Sequence, residues 1–151
     1  MKAENEALVE VQMLIRRPVA EVFNAFVDPA VTTNFWFSRS SGVLKQGGRV
    51  TWEWEMYGVS TDVFVKEIVE NEKIVIEWDD PATIVEFLFE VVGEGKTYVV
   101  IKNHGFSQTG TALLEAIKDN TGGFTTVVDG LKAYLEHNIK LNLVADKFLK
   151  G

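Results

Sequence analysis

Val50-Thr51-Trp52-Glu53-Trp54-Glu55-Met56 is the stretch that decides the fold. Its side chains alternate at every step, with Val50, Trp52, Trp54 and Met56 on one face and Thr51, Glu53 and Glu55 on the other. A strand with one dry and one wet face requires this period of two, because successive Cβ atoms point to opposite sides of the pleat. The paired tryptophans Trp52 and Trp54 then line an apolar space that some second layer has to cover.

Working outward, Gly42, Gly47 and Gly48 punctuate the loop before this strand, and Gly58 marks a turn after it into Val59 to Val69. Within that second run, Thr61 to Ile68 shows no clean alternation. Glu70-Asn71-Glu72 turns into a third run, Lys73 to Trp78, which Asp79, Asp80 and Pro81 end. Thr83, Val85, Phe87, Phe89 and Val91 alternate with Glu86 and Glu90, and Gly93-Glu94-Gly95 leads into Lys96 to Asn103 as a hairpin. The middle of the chain reads as an antiparallel meander of about five strands.

Upstream, Ala7 to Ile15 reads as a first strand ended by Arg16 and Arg17. Pro18 fits a first helical position, and Val19, Val22, Phe23 and Phe26 recur at helical spacing until Asp28-Pro29. A second short helix is expected over Ala30 to Trp36. Downstream, Thr111 to Lys118 is helical. Past Gly122-Gly123 a long helix is expected through Phe124, Val127, Val128, Leu131, Tyr134 and Leu135 to about His137. Strand, two short helices, meander and long helix make an α+β protein in which a curved antiparallel sheet wraps the C-terminal helix. The chain contains no internal repeat or long linker, so residues 1–151 are expected to form a single domain.

The 151 residues are 46% hydrophobic, enough for one core without covalent staples. Cysteine is absent, which excludes disulfides, thiolate metal sites and cysteine nucleophiles, and suits a cytoplasmic location. A net charge of −7 without a basic stripe argues against nucleic acid as a partner. No apolar run approaches the roughly 20 residues of a membrane span, and MKAENEALVE lacks the basic start and apolar stretch of a signal peptide.

Motifs of hydrolytic chemistry are missing: there is no G-x-S-x-G and no H-E-x-x-H. The two histidines fall at a strand end, His104, and a helix end, His137, so no metal site is expected. Gly95-Lys96-Thr97 resembles the end of a phosphate-binding loop, but Glu90 stands where that loop needs glycine and a strand follows in place of a helix. Glu86 and Asp129 read as solvated charges, while Asp62, in the run without clean alternation, stays open.

Aromatic residues carry the signal. Phe35, Trp36 and Phe37 cluster after the second short helix, and Trp78, Phe87 and Phe89 extend the face begun by Trp52 and Trp54. Such bulk either packs the core or holds sheet and helix apart around a cavity for a small molecule. Gly130, inside the long helix at a cost of about 1 kcal/mol relative to alanine, gives room on the helix surface.

Pro18-Val19-Ala20-Glu21-Val22-Phe23-Asn24-Ala25-Phe26, Phe35-Trp36-Phe37, Gly47-Gly48-Arg49-Val50 and the segment from Phe124 through Asp129-Gly130-Leu131 to Glu136 together resemble the family homologous to the C-terminal domain of the Hsp90 ATPase activator. That family belongs to the START-like, helix-grip superfamily, which also holds polyketide cyclases, lipid-transfer domains and the major birch pollen allergen. The resemblance implies a bent sheet gripping the long helix with a hydrophobic cavity between them, and implies no ligand. Phe124 stands where relatives often carry tryptophan, which alters the cavity's shape there.

Three functions follow as expectations. The first is binding of a small hydrophobic or aromatic molecule, lipid- or polyketide-like, by Trp36, Trp52, Trp54, Trp78, Phe87, Val127, Leu131 and Tyr134, with Tyr134 and His104 as polar handles and no cofactor, metal or catalytic residue. The second is a module that contacts an Hsp90-type chaperone, or pairs with itself as a homodimer. The third is a cyclase- or hydrolase-like enzyme using His104 or a cavity acid, for which no convergent acid–base pair is visible.

Overall fold

In the computed structural model, which describes residues 6–149, the alternating segments become strands of one curved antiparallel sheet of seven strands. They are β1 (Val9–Ile15), β2 (Arg39–Ser40), β3 (Arg49–Trp54), β4 (Val59–Val69), β5 (Lys73–Trp78), β6 (Thr83–Gly93) and β7 (Lys96–His104). Their order across the sheet is β1-β7-β6-β5-β4-β3-β2, so the meander runs unbroken and only β1 crosses to the far edge. Four α-helices complete the described residues: α1 (Val19–Val27), α2 (Pro29–Thr32), α3 (Gly110–His137) and α4 (Leu143–Asp146).

Register sets the dry face in rows. Ile68, Ile74, Phe87, Ile101 and Val11 lie side by side across five strands, and Val65, Ile76, Val85, Asn103 and Val9 form the next row. The irregular run in β4 has a physical cause: the register shifts between Val65 and Glu67, a bulge that inserts Lys66. Val63, Val65 and Ile68 can therefore share the dry face although their spacing is not even.

Pro18 sits one place earlier than expected, as the cap of α1 and not its first residue, and its carbonyl accepts the N–H groups of Glu21 and Val22. Asp28 closes α1 and opens α2 by accepting the Ala30 N–H at 2.9 Å. The expected helix over Ala30 to Trp36 is cut to Pro29–Thr32. The N–H groups of Phe35 and Trp36 both turn back to the Thr32 carbonyl, and this turn sends Phe35, Trp36 and Phe37 into the core.

α3 also departs from expectation, since it begins at Gly110 and passes through Gly122-Gly123 without a break. Threonine hydroxyls bridge this weak point, Thr125 donating to the Thr121 carbonyl at 2.7 Å and Thr126 to that of Gly122 at 2.8 Å. Its buried stripe, Phe124, Val127, Val128, Gly130 and Leu131, covers the sheet. Near its end Lys132 donates to the Leu14 carbonyl at 2.8 Å, while Glu136 accepts the Arg16 N–H at 2.7 Å. Lys132 and Glu136 bind each other at 2.7 Å, so one ion pair ties α3 to the outer edge of β1.

Candidate ligand cavity

β3 ends at Trp54 because the chain tightens into a single 3-10 turn, Glu55–Tyr57, which Gly58 closes at a φ of +64°. Met56 accordingly lies in the turn and does not continue the strand face. This hairpin presents Trp54, Tyr57 and Val59 together. Trp78, at the end of β5, stands opposite Val63 and Thr83 on the same face. Trp36 reaches in from the turn after α2, and α3 contributes Gly123, Phe124 and Thr126 from above. These side chains enclose a cavity of about 510 Å³ that is open at one side. Val144, Lys147 and Phe148, from the segment after α3, form its outer wall.

Trp36 is the hub of the aromatic cluster. Its ring lies 4.9 Å from Trp52, 6.5 Å from Trp54, 5.8 Å from Trp78 and 6.0 Å from Phe124 between centroids. Trp78 and Phe124 meet at 5.5 Å. Edge-on and tilted contacts of this kind hold the rings as a rigid wall, with roughly 1 kcal/mol per pair beyond area burial. The Trp78 Nε1 is buried with no hydrogen-bond partner among the described residues. Among the described residues, charged groups in the lining are confined to Asp119 and Lys147. A second hollow of about 480 Å³ adjoins it through Trp54, Val59, Trp78 and Asn120, with Asp62, Asp79 and Asp80 on its rim.

Of the side chains singled out from sequence, the fold brings Trp36, Trp54 and Trp78 together at the cavity. Trp52 is 1% exposed and stacks on Phe37 at 4.5 Å, one step deeper along β3, and so is core. Phe87, Val127 and Leu131 are likewise packed in the core, and Tyr134 lies partly buried against it; none of the four lines the cavity. His104 has to be corrected as a polar handle. It sits on the outer face of the sheet, where its Nε2 meets Glu86 Oε2 at 2.8 Å. Glu86 is therefore hydrogen-bonded there and not freely solvated. Asp129 is exposed, and Asp62, also exposed, accepts from Thr51. Among the described residues no group of three His, Asp or Glu side chains forms a metal site.

Sequence reasoning missed Tyr57, Val59 and the outer wall. Leu143-Val144 and Phe148 are the signal that could have found the wall, a short apolar pattern past the end of α3. Phe124 was legible, both in the helix stripe and as the position where relatives often carry tryptophan.

A curved sheet closed by one long helix, with an aromatic cavity opening beside that helix, defines a helix-grip protein. The chain belongs to the family of activator of Hsp90 ATPase homolog 1-like proteins, whose model matches residues 16–136. Among solved structures it is similar to a Staphylococcus saprophyticus protein at 27% identity, covering 89% of this chain and 96% of that one with a TM-score of 0.77. A protein of the dynemicin biosynthetic locus shares the fold at 18% identity and a TM-score of 0.79, covering 90% of this chain and 49% of that one. An Hsp90 activator from Plasmodium falciparum does so at 21% identity and a TM-score of 0.66, covering 85% of this chain and 96% of that one. No curated protein matches the chain. No helix among the described residues is long and apolar enough to cross a membrane.

Proposed function

We propose that the chain acts as one domain that binds a small hydrophobic or aromatic molecule between the sheet and α3. The observation that carries this reading is the cavity of about 510 Å³ walled by Trp36, Trp54, Trp78 and Phe124. Its volume falls within the usual range for small-molecule sites, and its lining is of the kind they use, apolar walls with few polar groups. The fold shared with a protein of the dynemicin biosynthetic locus agrees with a polyketide-like ligand. A cysteine-free chain suits a cytoplasmic setting.

N-phenylnaphthylamine, a neutral aromatic fluorophore, tests the reading. Titration into the protein is expected to give saturable energy transfer from tryptophan and a rise in melting temperature. A Cβ built at Gly123 meets nothing within 4 Å, so Gly123→Leu would project into the cavity and is expected to weaken binding at least about tenfold, the equivalent of about 1.4 kcal/mol. Equal binding by both proteins would sink the proposal.

A second reading, contact with an Hsp90-type chaperone through the outer surface, rests on the family's description and on the Plasmodium relative. Gly123→Leu leaves that surface unchanged. Stimulation of a chaperone ATPase by both proteins, with no fluorophore binding by either, would favour it.

A further inference from the structure

The cavity has one wall that does not belong to sheet or α3. Past α3, Asn138 adopts a left-handed φ of 55° and turns the chain back, and Asn142 at φ 59° starts α4. This strap forms part of the cavity wall, with Val144, Lys147 and Phe148 in its lining. It lies outside the span 16–136 that the family model matches.

Contacts of different kind hold it: Val144 packs against the core, and Lys147 approaches Gly122, its Nζ 3.8 Å from the position of a Cβ there. At its near end Leu143 packs by Gly130, its Cδ1 3.7 Å from the position of a Cβ there. At its far end one hydroxyl gathers three backbone groups of the strap. Tyr57 Oη donates to the Val144 carbonyl at 2.5 Å, has the Ala145 carbonyl at 3.1 Å and accepts the Phe148 N–H at 3.3 Å. The Phe148 ring meets the Tyr57 ring edge-on at 6.1 Å, yet Phe148 is 63% exposed and Leu149 fully so. α4 has four residues, too few to hold a helix by its own hydrogen bonds, so its order depends on these contacts.

We propose that the strap Asn138–Leu149 is a gate on the cavity and that the Tyr57 hydroxyl is its latch. Ligand enters and leaves when the far end of the strap lifts from Tyr57, while Leu143 stays seated as the hinge-side anchor. This deepens the binding reading above and rests on it for the ligand, whereas the latch itself stands on the strap's own contacts. Tyr57 is a positioning residue here, since it acts by holding Val144 and Phe148 in place.

Tyr57→Phe keeps the ring and removes only the hydroxyl. In stopped-flow mixing with N-phenylnaphthylamine, association is expected to accelerate by about five- to tenfold for the loss of these hydrogen bonds. Association is the deciding rate, because losing a wall contact to the ligand can speed release but cannot speed entry. Unchanged rates, or faster release alone with a matching loss of affinity, would overturn the gate. Trypsin supplies a readout that needs no ligand: cleavage after Lys147 is expected to speed up about five- to tenfold in Tyr57→Phe while the melting temperature falls by no more than about 4 °C, and an unchanged cleavage rate would overturn the latch. If the wild-type protein binds no fluorophore, that result falls on the cavity reading, and proteolysis alone then decides the latch.

Discussion

Gly130 and Gly123 are both glycines within α3, and they do opposite things. A Cβ at Gly130 would lie 3.2 Å from Phe35 Cβ and 3.3 Å from the Phe35 carbonyl oxygen. The Phe35 backbone cannot yield easily, because its N–H is bonded to the Thr32 carbonyl and its ring packs edge-on to Phe26 at 5.6 Å. Gly130→Ala is therefore expected to lower stability by about 1 kcal/mol, overpacking outweighing the helix-propensity gain. Gly123→Ala, in open space, is expected to raise it by about 0.5–1 kcal/mol. Urea unfolding of the two variants checks both signs. Sequence exposed the cost of Gly130 but not the beneficiary, since nothing local says which backbone approaches. His104 misled for a related reason: β7 gives its core-facing slot to Asn103, a polar residue, and so the outward phase of His104 was masked.

Among the elements, the meander was legible because each strand obeys a period of two, and β4 was the exception because its bulge at Lys66 breaks the period without breaking the strand. The unbroken course of α3 was not legible, since paired glycines are a stop signal and the threonine hydroxyls that bridge them act only once the helix exists. Nor does periodicity reveal how α3 is fixed to β1. That task falls to the pair Lys132 and Glu136, and Glu136 is only 9% exposed at its side chain. Burial alone would push its carboxyl upward, but the hydrogen bonds from Lys132 and the Arg16 N–H, with the nearby positive charge, prevail and hold it below its ordinary 4.5. A carboxyl depressed on folding contributes stability that is present above its unfolded value and lost as pH falls through its folded one. Glu136→Gln is accordingly expected to cost about 2 kcal/mol at neutral pH. The gap to the wild type should begin to narrow as pH falls below the ordinary 4.5 and close once pH is below the lowered folded value, which urea unfolding across pH would detect.

At the scale of the whole molecule, aromatic residues serve two ends that sequence alone could not separate. Trp52 and Trp54 share a strand face, and the alternation that found them is correct. What differs is depth: Trp52 lies where Trp36, Phe37 and Trp78 close around it, and Trp54 lies where β3 gives way to the turn and the cavity begins. Depth is a property of three elements meeting, so no single segment carries it. The two positions should therefore separate in experiment. Trp52→Ala empties a filled core and is expected to cost about 3–5 kcal/mol, a large share of the about 5–15 kcal/mol by which such a domain is folded. Its unfolding transition should shift far down or disappear. Trp54→Ala removes a half-buried ring from the rim, should leave a cooperative transition in place, and should abolish most fluorophore binding. Thermal unfolding and N-phenylnaphthylamine titration of the same two variants make the comparison. Comparable stability losses in both would mean that the ring cluster is one packed core to its edge, and that the space beside Trp54 is not a site.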